Sequence, residues 1–219
     1  MVPDMAVWQP GHMPRRGRPP LRSDDTILDV ALRDFAALGY DATSVRALNA
    51  ELGLSHETIT QRFGTKEALF RAAVSHGVHR FVAEFDRELE SATPADDLER
   101  LRATTRAFIV AMSHHPALGE LIHHQSINDI ERDVLMTDIG LGDRLLTVSR
   151  LLHRLRAEGR IRDIDLREFW FLVQGGAGPL HFEQLARMFD PVDGPLERER
   201  HIERATDLIV RAVRTDTPD

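Results

Sequence analysis

Cysteine is absent from this chain of 219 residues, which removes disulfides, thiolate nucleophiles, thiolate metal sites and thiol redox chemistry together. Long apolar runs are missing as well. Nothing approaches the roughly 18 consecutive apolar residues of a membrane-spanning helix, and the N-terminus has no apolar core of the kind a secretory signal carries. A soluble, cytoplasmic protein is the expectation. No phosphate-binding glycine loop, G-x-S-x-G elbow or H-E-x-x-H helix occurs, so an enzyme has little support. There is no internal repeat and, beyond residue 74, no strand-like alternation. Lysine is nearly missing too: Lys66 stands alone against 27 arginines.

What is present is helical periodicity and an uneven charge. The formal net charge of −7 divides into +2 over residues 15–80 and −8 over residues 81–219, with Asp4 supplying the remaining −1. Such asymmetry keeps an acidic body away from a polyanion while a local basic surface meets it. The densest positive segment is PRRGRPPLR, with Arg15, Arg16, Arg18 and Arg22, too proline-rich to be helical. It reads either as an arm that enters a DNA minor groove or as a solvated tail. Residues 1–14 show no periodicity and are expected to be disordered, with Met13 a candidate natural start.

Between Ile27 and Leu69 three helices and the start of a fourth can be read. Ile27, Ala31 and Phe35 recur at i, i+4 with Leu28 and Leu32 beside them, and Gly39 follows where a C-terminal cap would sit. Thr43 or Ser44 can cap a second helix with Val45, Leu48 and Leu52 inward, before Gly53 permits a sharp turn. Ser55 offers a cap for a third, which packs Ile59 and Phe63 and leaves His56, Glu57, Thr60 and Gln61 on its other face. Gly64 ends it, and Thr65 caps a long fourth helix that opens with Lys66. Two helices joined by such a turn make a helix-turn-helix, whose second helix enters the major groove.

The succession AALGYDATSVRAL, ELGLS, FGTKEAL resembles the DNA-binding signature of TetR-type transcriptional repressors over roughly residues 22–74. The resemblance implies phosphate contacts from Thr43 and Lys66 and base-edge contacts from the helix of Ser55, His56, Glu57, Thr60, Gln61 and Arg62. Gln61 is the candidate base reader, because a glutamine can pair bidentately with adenine. A compact ammonium beside a helix N-terminus suits a phosphate, which gives the lone Lys66 a role. Two positions depart from the family: Thr60 stands where a backbone-contacting tyrosine is usual, and Asn49 where a small residue is usual, which implies local repacking.

The back half reads as helix after helix. Phe70, Val74, Phe81 and Phe85 continue the fourth, broken at Thr93-Pro94; a fifth carries Leu101, Phe108 and Met112 inward; Pro116 opens a sixth. Leu145, Val148, Leu152 and Leu155 mark a seventh, closed by Gly159, and Asp165 with Glu168 forms a capping-box start for an eighth. Its FWFLV at 169–173 is apolar all round, as in a fully buried helix. The small residues Gly175, Gly176 and Gly178 suggest close approach to a partner. A loop FDPVDGP precedes a last helix with Ile202, Ala205, Ile209 and Val213 in one stripe.

The resemblance implies that the last two helices dimerise and the middle ones enclose an effector pocket. Phe108, Met112, His115, His124, Trp170, Phe171 and Gln174 are its candidate lining, with plain core packing the competing reading for each. His114-His115 and His123-His124 together with Glu120 suggest an alternative, a carboxylate/histidine metalloenzyme in a helical bundle. That class needs a second Glu-x-x-His motif, and only one occurs.

The expectation is therefore an all-α chain: a disordered arm over 1–21, a helix-turn-helix DNA-binding domain over 22–74, and a helical ligand-binding and dimerisation domain over 75–219. It would be a regulator, most often a repressor in proteins of this appearance. As a homodimer it would bind a palindromic double-stranded DNA operator and be released by a small-molecule effector, with no catalytic residue, metal or cofactor.

Overall fold

A computed structural model describes residues 22–124 and 141–215, except the side chains of His123 and His124. Helix α1, Asp24–Leu38, starts at Ser23, whose hydroxyl accepts from the Thr26 amide at 3.2 Å. Asp24 and Asp25 lie in its first turn, where the helix dipole favours negative charge. It buries Ile27, Ala31, Leu32, Phe35 and Ala36 and ends at Gly39. Helices α2, Val45–Glu51, and α3, Thr58–Phe63, are short and pack on each other. A lone helix of that length is unstable in water, so tertiary contacts hold both.

Helix α4, Lys66–Ser91, joins the N-terminal unit to the body. Its first half packs on α1, with Phe70 edge-on to Phe35 at 4.9 Å between ring centroids. Further along, Phe81 and Phe85 face α5, Asp97–His114. Helix α5 is the axis of the body, buried continuously from Ala107 to Ser113. Helix α6, Pro116–His124, returns against α1 and so ties the two parts together.

After the second described segment begins, α7, Leu141–Ala157, and α8, Leu166–His181, pack on α5 and on each other. The start of α8 is as expected, the Glu168 carboxylate accepting from the Asp165 amide at 3.0 Å. The stretch FDPVDGP read as a loop is instead partly helical over Asp190–Asp193, and further turns over Glu183–Ala186 and Arg187–Phe189 precede it. Helix α9, Arg198–Val213, lies on α5 and α8 and buries Ile202, Ala205, Ile209 and Val213. An isolated antiparallel bridge between Ile161 and Arg214 ties the end of α9 to the α7–α8 loop.

Charge knits these elements as well. Arg106 on α5 reaches Glu88 on α4 at 2.8 Å and Glu203 and Glu199 on α9 at 2.7 and 2.5 Å. The hydrogen bond that Arg106 donates to Glu203, with Glu199 beside it, raises the guanidinium pKa above its ordinary value. Arg154 on α7 holds the Asp97 carboxyl below the usual carboxylate range through a 2.7 Å bond.

One sequence reading is corrected here: α8 is not buried all round. Phe169 and Val173 are in the core, but Phe171 and Leu172 are 68% and 41% exposed. Only one side of α8 meets α5 and α9, so half of its apolar surface is left facing outward.

Candidate functional site

The helix-turn-helix is built around a buried asparagine. Asn49, fully buried on α2, donates from Nδ2 to His56 O at 3.0 Å and Val45 O at 3.1 Å, while its Oδ1 accepts from the Ile59 amide at 3.3 Å. That amide is one of the first donors of α3, which no capping side chain satisfies because Glu57 holds the N-cap position. The cap expected at Ser55 is therefore displaced; its hydroxyl pairs with Thr58 Oγ1 at 2.6 Å. Gly53 turns the chain at φ +67°, and the Leu54 amide donates to Asn49 O at 2.8 Å. Sequence reasoning saw Asn49 only as a departure from a small residue; its polarity was the available signal.

With α3 fixed in this way, Ile59 is buried and Ser55, His56, Glu57, Thr60 and Gln61 are exposed together on one side. Gln61 Nε2 donates to Glu57 Oε2 at 3.3 Å. Arg62 behaves differently. Its guanidinium donates to Arg22 O at 2.7 Å and Asp24 Oδ1 at 3.0 Å, clipping α3 to the start of α1. Arg62 thus positions α3, and Arg22, just ahead of α1, lies beside it. Arg15, Arg16 and Arg18 lie outside the described residues.

Thr43 also turns inward. It is 3% exposed, and its hydroxyl donates to Gly39 O at 2.7 Å with Asp34 O at 3.2 Å. The phosphate contact expected from this hydroxyl is corrected, since the α1–α2 turn already uses it, and Ser44 rather than Thr43 caps α2. Lys66 is half-buried at the start of α4. Its ammonium donates to Asp41 O at 3.1 Å and lies 4.6 Å from the centre of the Tyr40 ring. Arg46, exposed on α2, was not singled out in the sequence, and among the described residues no side chain pairs with it.

A second candidate site is a partly open apolar cavity of about 50 Å³ lined by α4, α5, α7 and α8. Phe81, Phe85, Phe108, Val148, Phe169, Trp170 and Val173 wall it, with Arg144 at its edge. Phe108 stands edge-on between Phe81 at 5.4 Å and Trp170 at 5.1 Å. Of the expected lining, Phe108 and Trp170 are in this wall. Met112 and Gln174 are buried outside it, Gln174 with neither amide atom hydrogen-bonded among the described residues. His115 ends α5, and burial, more than the nearby Arg80 cation, pushes its pKa below the ordinary value. Phe171 is corrected, since it points out of the body. The His124 side chain, and that of His123 in the Glu120 motif, lie outside the described residues. Among the described residues, no group of three His, Asp or Glu side chains gathers to hold a metal ion, and no helix is long and apolar enough to cross a membrane.

Residues 27–73 match the sequence profile of bacterial regulatory proteins, tetR family. The HTH-type transcriptional repressor ComR of Escherichia coli (strain K12) is 38% identical over 74 residues, 34% of this chain and 35% of that protein. The chain thus aligns with about a third of that relative's length. Among solved structures, the ketosteroid transcriptional regulator KstR2 of Mycobacterium tuberculosis superposes with a TM-score of 0.64 at 19% identity, over 90% of this chain and 97% of that one. AibR, solved in complex with isovaleryl coenzyme A and operator DNA, gives 0.62 at 20% identity over 84% and 95%. The likeness of fold runs well past the N-terminal match, into the helical body. Residues 27–73 thus form a helix-turn-helix domain similar to that of the tetR family of bacterial regulatory proteins.

Proposed function

We propose that the protein is a cytoplasmic, ligand-responsive transcriptional repressor that binds a palindromic DNA operator as a homodimer and leaves it when a small molecule occupies the body. The observation that carries this reading is the exposed surface where Thr60 and Gln61 of α3 stand with Ser55, His56 and Glu57 of the turn before it, α3 itself being clamped by Asn49 and Arg62. Lys66 and Arg46 supply cations nearby for phosphates, which position a protein on DNA while base-edge contacts choose the sequence. ComR carries the name of a repressor and AibR was solved with both operator DNA and isovaleryl coenzyme A; both support the reading by analogy.

A single short helix meets too few base pairs to select one site, so two heads related by a two-fold axis are needed. The outer sides of α8 and α9 are the candidate interface. Apart from Leu38 and Leu146, every exposed large hydrophobic residue among those described lies between Phe171 and Leu208. An effector that fits only one separation of the heads lowers operator affinity by the same factor that DNA lowers effector affinity.

Selection of binding sites from random duplex DNA tests the proposal. An inverted repeat is expected. Gln61→Ala should then cost about 1–3 kcal/mol on the selected site and relax preference at one base pair per half-site. Recovery of no repeated motif would remove the operator-binding reading.

A further inference from the structure

Among the described residues, the apolar cavity has one charged side chain in its wall. Arg144, on α7, is about one-third exposed and reaches across to α4. There its Nε lies 3.3 Å from Asp86 Oδ1 and a terminal nitrogen 2.5 Å from Asp86 Oδ2. The rest of the wall is aromatic and aliphatic apart from Thr104 and Thr105, and Thr105 already donates to Leu101 O at 2.9 Å. A guanidinium beside such a surface binds a carboxylate through two parallel hydrogen bonds, a geometry that any second carboxylate can reproduce.

We propose that this site takes an amphiphilic monoanion: an apolar chain ending in a carboxylate, whose head replaces Asp86 on Arg144 while the chain enters among Phe81, Phe85, Phe108 and Trp170. The inference rests on the regulator reading above and names the ligand chemistry of its cavity. Exchanging one carboxylate for another keeps a carboxylate on the Arg144 guanidinium. Asp86, 42% exposed, turns to water once released. The chain meanwhile gains from leaving water for aromatic surface.

The tightness of the cavity couples entry to movement. At about 50 Å³ it has room for a few water molecules, each of which needs about 10–15 Å³ of such space. Even a short chain must therefore widen the gap between α4 and α7. The same step severs an ion pair that holds those helices together, and α4 is the element on which α1 and α3 rest. Ligand entry thus acts directly on the helix that carries the DNA-reading face.

The test uses the whole chain, titrated calorimetrically with the straight-chain carboxylates from butanoate to decanoate and with the primary alcohols of matched length. The same compounds are added to a gel shift on the selected DNA site. The preferred carboxylate should bind about 10-fold or more tightly than its alcohol and should release DNA. Arg144→Gln should erase that preference and Arg144→Lys restore part of it. Asp86→Asn, which weakens the competitor, should tighten carboxylate binding several-fold and leave alcohol binding unchanged. Equal binding of acid and alcohol, binding of no carboxylate, or a preference that survives Arg144→Gln would each overturn the proposal. DNA binding that persists in any of those cases would leave the regulator reading standing, whereas loss of specific DNA binding in the unliganded wild type would remove that reading itself.

Discussion

At the scale of single residues, polarity in buried places is what sets the DNA-reading face. Asn49 makes its three side-chain hydrogen bonds inside the core of the helix-turn-helix. Truncation would leave the Ile59 amide and the His56 carbonyl without those partners. Asn49→Ala should cost about 1–3 kcal/mol in urea unfolding and weaken DNA binding further through a misplaced α3; an unchanged unfolding midpoint would show that water replaces the side chain without loss. Lys66 poses the opposite case, a cation at the surface with local partners that a phosphate can replace. Lys66→Ala should weaken binding to all DNA sequences alike and lower the slope of log affinity against log salt by about 1. Gel shifts at several salt concentrations give that slope, and a change of sequence preference at constant slope would place Lys66 against a base. Asn49 and Lys66 were both conspicuous in the sequence, one by departing from a small-residue position and the other by being alone. Thr43 and Arg62 were not readable in the same way, because a hydroxyl or guanidinium serves a backbone carbonyl as well as a phosphate.

At the scale of elements, α8 shows how periodicity leaves a helix face without an assigned neighbour. The small residues Gly175, Gly176 and Gly178 suggested close approach to a second subunit, yet they point in different directions. A Cβ on Gly176 would lie 2.7 Å from Ile209 Cδ1 and 3.6 Å from Ala205 Cβ, so its small size serves contact with α9 of the same protomer. A Cβ on Gly175 meets nothing within 4 Å. The two positions should therefore respond with opposite sign. Gly176→Leu should destabilise by about 1–3 kcal/mol through overpacking, and Gly175→Ala should stabilise by up to about 1 kcal/mol through helix propensity. Denaturant midpoints of the two variants decide it: equal shifts would mean that α8 and α9 adjust freely where they cross.

For the whole molecule, the exposed apolar surface between Phe171 and Leu208 calls for a cover, and a second copy of the chain is the proposed one. Phe171 is 68% exposed, so a charge there leaves the protomer folded while spoiling a two-fold interface in which it appears twice. Phe171→Glu should weaken the dimer by about 2 kcal/mol or more and lower operator affinity with it, at unchanged helical circular dichroism. Sedimentation velocity reads the outcome, and a variant as dimeric as the parent would move the interface away from α8. The ion-pair ties of Arg106 to α4 and α9 belong to the same scale, since they hold the long α4 against the body that would dimerise.

The sequence by itself determined the class of the fold and the position of the helix-turn-helix, because those depend on local terms. Side chains that repeat at i, i+4, hydroxyls at helix starts and a glycine at a sharp turn act within about ten residues of chain. The helices through α9 were legible on that basis, apart from the turns in the stretch read as a loop between α8 and α9. Only the tertiary structure decided which apolar faces are covered. It turned Thr43 inward, tied Arg62 to Arg22 and Asp24, left Phe171 outside, set Gly176 against Ile209, and brought Arg144 to Asp86 across 58 residues of chain. The reason is geometric: a helical period states which residues share a side, each step turning the chain by about 100°, but which neighbour lies on that side depends on how distant elements pack.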